Sequence, residues 1–265
     1  MIRTNLFHPT EAHHISAQKG RYSILEYEKD LSVSPEMAST AYFASLMNVR
    51  KRQVIAQLDG GSGIIVQAGA MQMMIGPIRA ATNVKGTGDL VKKFFGSTVT
   101  GESVVKPRYT GAGLLVLEPT YRYLLLEDLG DWNGGMVIED GIFLACDDTV
   151  QMKVTARSNL SSAVLGGEGL FNTALSGTGI AVLESPVPAE ELIIVDLEDD
   201  ELRLDGSMAI AWSDALEFTV ERAAATLVGS AASGEGLVNV FRGTGRVLIA
   251  PVARNAAVPA PKASK

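Results

Sequence analysis

The feature that most constrains this chain is a pair of short elements that occurs three times at one spacing. Gly-Glu stands at Gly101, Gly167 and Gly234, separated by 66 and 67 residues, and a Gly-x-Gly follows at Gly111, Gly177 and Gly243, separated by 66 and 66. A lone Gly-x-Gly says almost nothing, but three at one offset and one period mark an internal repeat. The intervening segments correspond too. Asp140-Gly141 precedes IFLACDDTVQMKV, and Asp205-Gly206 precedes SMAIAWSDALEFTV. Aligned from their ends, Val150, Met152 and Val154 match Leu216, Phe218 and Val220, with Gln151 and Lys153 against Glu217 and Thr219. Apolar/polar alternation of period two is the pattern of a strand with one buried face. A fainter first copy runs from Ala68-Gly69 through Met71, Met73 and Met74 to Gly76-Pro77.

The period divides the chain into β-repeats over residues 54–119, 120–186 and 187–252. Short strands between turn signals predict a mainly all-β fold. The expected architecture is three antiparallel β-sandwich or barrel units in pseudo-threefold arrangement, each covering a face of its neighbours. Residues 1–53 depart from the pattern. Ser23–Glu28 reads as a strand. Ser34-Pro35-Glu36 reads as a helix start, with Met37, Ala41, Ala44 and Met47 at helical spacing and the basic run Arg50-Lys51-Arg52 at the end. This makes residues 31–52 a helical insert. A second helix is expected at Asp89–Phe95, a solvated hairpin at the acidic run Asp196–Glu201, and a flexible tail over 253–265.

Several chemistries meet obstacles. The formal charge of −7 opposes generic binding to a phosphate backbone, so no DNA partner is expected and RNA is disfavoured. The single cysteine, Cys146, lies in the apolar run Ile142–Cys146, reads as a buried inert thiol and rules out a disulfide framework within the chain. No apolar stretch reaches the length of about 18 residues that a membrane-crossing helix needs. His8, His13 and His14 are the only histidines and lie outside the repeats, which leaves a cupin-type metal barrel or a Ser-His-Asp triad without its imidazoles. The Gly-x-Gly elements lead directly into LLVLEP, IAVLES and RVLIAP, not into helices, so they do not fit a dinucleotide fingerprint. Gly111, Gly113, Gly177, Gly179, Gly243 and Gly245 are instead expected to be structural turn glycines, supplying positive φ or close backbone approach. The repeated acids Glu102, Glu168 and Glu235 are the candidate polar cluster. Two readings stand open for them: convergence on a cation, or acceptance of backbone N–H bonds beside a turn.

The elements GGSGIIVQAGAMQMMIG, TGESVVKPRYTGAGLLVLEPTY, EDGIFLACDD, GGEGLFNTALSGTGIAVLES and GEGLVNVFRGTGRVLIAPV occur in this order. Together they resemble the altered-inheritance-of-mitochondria family, a domain-of-unknown-function family, over residues 54–252. The resemblance implies three β-domains in pseudo-threefold arrangement, similar to the trp RNA-binding attenuation protein. It also implies, for fungal members, a link to mitochondrial inner-membrane organisation. It supplies no catalytic residues. The N-terminus reads as lacking a mitochondrial presequence, which points to a cytoplasmic protein.

The expected function is therefore a non-enzymatic scaffold or protein-interaction protein, a homo-oligomer acting through its β-surfaces or its N-terminal helix, with no catalytic site, cofactor or metal. The alternative is a small-ligand or RNA binding module, resting on fold analogy and on the basic clusters Arg50–Arg52 and Lys92-Lys93.

Overall fold

The computed structural model describes residues 3–81, 106–156, 171–205, 208–222 and 237–252. The expected helix at Asp89–Phe95 and the tail lie outside these residues.

Among the described residues the fold is mainly β, with one short α-helix, and the strands divide between two antiparallel sheets. In the first, β1 (His13–Lys19) and β2 (Tyr22–Tyr27) form a hairpin, and β3 (Arg52–Asp59) joins β2. The order continues through β7 (Arg108–Leu117), β4 (Ile64–Val66), β10 (Phe143–Asp147), β13 (Ile180–Ser185) and β8 (Tyr123–Asp128). β5 (Met71–Ile75) and β6 (Ile78–Ala81) also pair with β7. This sheet curls into a nearly closed barrel. Reciprocal backbone hydrogen bonds between Arg52 and Thr120, of 2.7 and 2.9 Å, bring the chain just before β8 against β3.

The second sheet has the order β11 (Val150–Ala156), β12 (Phe171–Gly177), β9 (Met136–Ile138), β15 (Ala209–Ser213), β17 (Leu237–Ile249) and β14 (Ile193–Asp205), and β16 (Glu217–Arg222) also pairs with β17. One core cluster draws on both sheets, with Phe143, Cys146 and Leu183 from the first and Ile138, Leu175, Ile210 and Leu248 from the second. Burial of such side chains is the main favourable term holding sheet to sheet. A second cluster, including Tyr22, Val54, Ile64, Tyr109 and Leu115, belongs to the barrel. A third centres on Trp212, Phe218 and Phe241, whose ring centroids lie 5.2–5.3 Å apart.

The Gly-x-Gly elements occupy strand corners. The β7 residues 114–117 pair with β5, and 108–111 pair with β6. On the opposite edge β7 changes partner from β3 to β4 over the same stretch. Gly111 (φ +120°) and Gly113 (φ +147°) sit at this exchange, where an added Cβ would lie 2.1 Å from the Pro77 carbonyl oxygen and 2.0 Å from that of Ile75. Along β17, residues 237–242 pair with β16 and 247–249 with β15, and Gly243 (φ +115°) and Gly245 lie between. A Cβ on Gly245 would lie 2.8 Å from Cβ of Ser213. At Gly177 and Gly179 the strand breaks, so that β12 pairs with β11 and β9, while β13 pairs with β10 and β8. Neither β7 nor β17 reverses direction at its glycines. They are bends within a strand and not turns that end one, and they keep the expected positive φ at Gly111, Gly113 and Gly243 and the expected close backbone approach at Gly111 and Gly113.

The acidic run also departs from expectation. Asp196–Glu201 forms no hairpin but lies within the thirteen-residue β14, paired with β17 on both sides of a register shift between Leu197 and Asp200. Asp199 takes φ 53° there, and Arg246 and Arg242 on β17 pair with Asp196 and Glu201. Cross-strand cations let the acids stay in a strand.

The corner geometry makes a discriminating prediction. Gly113→Ala drives a methyl into a backbone oxygen and should lower the unfolding free energy by about 3 kcal/mol or more. Gly69→Ala, at φ +83° but with nothing within 4 Å, should cost only about 1 kcal/mol. Urea denaturation of both variants tests this, and equal losses would contradict the corner assignment.

Candidate functional site

Glu102, Glu168 and Glu235 lie outside the described residues, and the six glycines are in the corners just described. His13 packs edge-on against Tyr27, and His14 Nδ1 lies 3.1 Å from Glu28 Oε1. Among the described residues no group of three or more His, Cys, Asp or Glu is placed to hold a metal ion. Cys146 is fully buried, and burial, reinforced by the Asp147 charge, pushes its thiol up to about 12.

A polar constellation in the barrel follows Cys146. Asp147 accepts hydrogen bonds from the Tyr22 hydroxyl (3.2 Å) and the Ile180 N–H (2.9 Å) and pairs with Arg21 at 3.1 Å. Burial first, then the adjacent Asp147 charge, raises the Tyr22 phenol above its ordinary pKa. Asp148 accepts from Gly63 N–H at 2.8 Å and from Arg108. Each contact ties one turn to another: the β1–β2 turn, the β3–β4 loop and the Gly177–Gly179 corner all meet here. The arrangement is a clamp on the fold, with its acceptors occupied by protein donors.

A different kind of surface rises from the connection between β2 and β3. Asp30 opens it by accepting from Ser32, and the backbone passes through Ser34 and a short 3-10 turn at Pro35–Met37 into α1 (Ala38–Leu46). Asn48 at φ 60° turns the chain back toward β3, a left-handed residue of the kind that ends helices. At about 100° per residue, α1 carries small residues and large ones on opposite sides. Thr40, Ala41, Ala44 and Ser45 line a cavity of ≈ 290 Å³ between the helix and the barrel, with Tyr27 and Tyr121 across from them. Tyr42, Phe43, Leu46 and Met47 point away and are 58%, 63%, 61% and 75% exposed. No residue of the helix is buried. The usual amphipathic order is inverted, with the large apolar side chains facing solvent.

The ends of this insert are fixed by charge. Arg52, with only 4% of its side chain exposed, pairs with Glu26 at 2.9 Å and donates to the Asn48 side chain at 2.6 Å and to the Asn48 carbonyl. Its guanidinium stacks 4.4 Å from the Tyr123 ring centroid. Arg50 bridges Glu26 (3.0 Å) and Glu28 (2.7 Å), and Lys51 meets Asp30 at 2.8 Å. The basic run is thus matched by acids on the neighbouring chain segment and does not form an exposed cationic patch, while Lys92 and Lys93 lie outside the described residues. Between Met37 and Val49 there is no charged residue.

Helical spacing located α1 and marked Met37, Ala41, Ala44 and Met47 as one face, of which Met37, Ala41 and Ala44 line the inner cavity while Met47 is 75% exposed on the outer side. Tyr42, Phe43 and Leu46 were missed. Their signal was available, because apolar residues occupy both sides of so short a helix.

With the architecture and this surface defined, the chain can be placed among known proteins. The family model described as mitochondrial biogenesis AIM24 matches residues 45–252. The chain belongs to this family. An uncharacterized protein of Streptococcus pyogenes serotype M6 is 29% identical over 200 residues, covering 72% of this chain and 78% of that protein. An X-ray crystal structure of a Streptococcus pyogenes protein superposes with a TM-score of 0.58 at 27% identity, covering 78% of this chain and 90% of the other. The family match begins inside α1, so Tyr42 and Phe43 precede the segment shared with the AIM24 model.

Two measurements test how the platform is mounted. Glu26→Ala leaves Arg52 buried without its carboxylate and should cost about 3 kcal/mol, whereas Lys51→Ala breaks a half-exposed pair and should cost under about 1 kcal/mol. Thermal or urea unfolding distinguishes them, and similar costs would contradict the assignment. The Asp30 carboxyl is held below its ordinary 3.8, first by the hydrogen bond from Lys51 and then by that from Ser32. A lowered folded pKa contributes stability above the unfolded value and loses it as pH falls through the folded one. The Lys51–Asp30 tie should therefore be intact at neutral pH and weaken only below about pH 4. Carbon-detected NMR titration should place the Asp30 midpoint under 3.8; a midpoint at or above it would contradict the tie.

Proposed function

We propose that this AIM24-family chain is a non-enzymatic interaction protein, a scaffold that works through the outer face of α1 and assembles with other protein chains. The observation that carries the reading is the inverted helix: four large apolar side chains held in solvent on a mount made rigid by buried and half-buried ion pairs. Exposed contiguous apolar surface on a soluble domain marks a binding site far more often than an isolated exposed side chain does. Tyr, Phe and Met without nearby charge are the composition of an interface centre.

We also read the two sheets as three units in pseudo-threefold arrangement. The support is that each Gly-x-Gly marks a change of strand partners: β7 exchanges neighbours on both edges, β17 exchanges β16 for β15 on one edge while keeping β14 on the other, and at Gly177–Gly179 the strand breaks into β12 and β13, which pair in different sheets. With Arg50, Lys51 and Arg52 matched by Glu26, Glu28 and Asp30, the RNA alternative loses its described basic support.

Photo-crosslinking in the native host tests the proposal. Benzoylphenylalanine in place of Phe43 should yield a discrete protein adduct, while the same residue in place of Thr219 on the second sheet should not. Absence of any adduct at Phe43, or equal yields at both positions, would remove α1 as the working surface.

A further inference from the structure

The outer face of α1 needs a cover, and three observations bear on what supplies it. The first is helix stability. α1 has nine residues, none of them buried, whereas isolated helices in water are marginal below roughly 12–15 residues. Tertiary packing normally provides the difference, and here the inward side chains are too small to reach the barrel across the ≈ 290 Å³ cavity.

The second is area. Leu31, Tyr42, Phe43, Leu46 and Met47 are each between 58% and 75% exposed. At roughly 100 Å² of exposed surface apiece, they offer about 500 Å² per copy and about 1,000 Å² for a pair, the lower end of specific interfaces. One helix and its flank therefore carry enough surface for a weak, specific dimer without enlisting either sheet.

The third is charge. A partner that brings ionised groups onto this face would desolvate them against Met37–Val49, which holds no countercharge. An anionic lipid surface is attracted by Lys and Arg on the polar face of an interfacial helix, and α1 carries neither. The surface that matches a neutral apolar patch of this size without any desolvated charge is the same patch on another copy. Two such helices set antiparallel also place each positive N-terminus beside a negative C-terminus.

We propose that the occupant of the α1 platform is a second copy of this chain, the two α1 helices packing antiparallel about a twofold axis through Phe43 and Leu46. This rests on the reading of α1 as a docking surface and names its partner. The interface is isologous: Phe43 and Leu46 of each copy meet their counterparts, and Tyr42 and Met47 flank them.

Sedimentation of the full chain from about 1 to 100 µM tests the pairing, since an interface of this size dimerises in that range. The wild-type chain should approach twice its 28.0 kDa. The F43E/L46E variant should weaken association by at least about 100-fold while keeping the β-sheet circular dichroism signal, because neither residue is buried within the chain, and should lose only the helix signal and melting temperature that dimerisation supplies. Orientation is read separately, with a nitroxide on Glu36→Cys; Cys146 is buried and does not compete for label. Antiparallel packing separates the two labels by about 25 Å, from a rise of roughly 1.5 Å per residue, and a parallel pair would set them side by side.

A monomer at the highest concentration overturns the pairing, and so does a dimer that survives F43E/L46E. Binding of a monomeric wild-type chain to phosphatidylcholine–phosphatidylglycerol vesicles, lost in F43E/L46E, also overturns it. A monomer in sedimentation combined with a Phe43 crosslink to a different protein in cells ends the self-pairing and leaves the proposed function standing. No crosslink of any kind at Phe43 removes both.

Discussion

The fold depends on letting a strand turn a corner without giving up its ladders. A strand that leaves one set of partners for another must bend sharply, and at the bend its backbone closes on the neighbouring chain. Gly113 lies so near the Ile75 carbonyl that a methyl group would sit 2.0 Å from the oxygen. Gly111 meets Pro77 in the same way, at the point where the chain passes from β5 to β6. Any side chain there forces the two backbones apart and costs hydrogen bonds on both edges of β7, the strand that binds β3, β4, β5 and β6 together. The barrel curls because these positions carry hydrogen where other residues carry carbon.

Electrostatics serves local fixation throughout. Asp147 and Asp148 tie turns, Glu201 and Glu221 grip Arg242 on the face of the second sheet, and Glu26 neutralises Arg52 beneath the insert. These pairs differ in weight. Those on the sheet face are solvated and contribute little singly. Arg52 is different, because its charge is taken out of water and is matched by a carboxylate, a carbonyl, an amide oxygen and a ring face at once. Removing one member of such a set leaves an uncompensated charge, which gives the base of the insert its rigidity.

The sequence made the strands legible where their environment is one-sided. Val150, Met152 and Val154 alternate with polar residues and form β11, although burial fades along it from Val150 at 3% exposed to Val154 at 53%; Phe218 and Val220 alternate likewise in β16, with the buried Leu216 just ahead of it. It made the helix legible through Pro35 and the spacing of Met37, Ala41, Ala44 and Met47, although Met47 ends on the exposed side. Other features were hidden for physical reasons. A bend and a hairpin both call for glycine with positive φ, so Gly-x-Gly alone does not distinguish a strand that turns a corner from one that ends. The acidic run looked too charged for a strand because the cations that admit it, Arg242 and Arg246, stand more than forty residues away. The candidate surface was obscured by a general rule, that large apolar residues face inward, which α1 does not follow.

That exception follows from what stands on the inner side of the helix. Larger side chains at Ala41, Ala44 and Ser45 would reach Tyr27 and Tyr121, fill the cavity and gain transfer free energy, on the order of 0.8 kcal/mol for each buried methylene. The helix would then be stabilised as a satellite of the barrel, with its outer face free to become polar. Small residues forgo that gain. They leave α1 held at its two ends by ion pairs and along its length by almost nothing, with its apolar bulk on the side where only another molecule can cover it. Stability forgone inside the chain is available at the outer face, so ordering of α1 and occupation of that face are thermodynamically linked: whatever covers the platform also completes the helix.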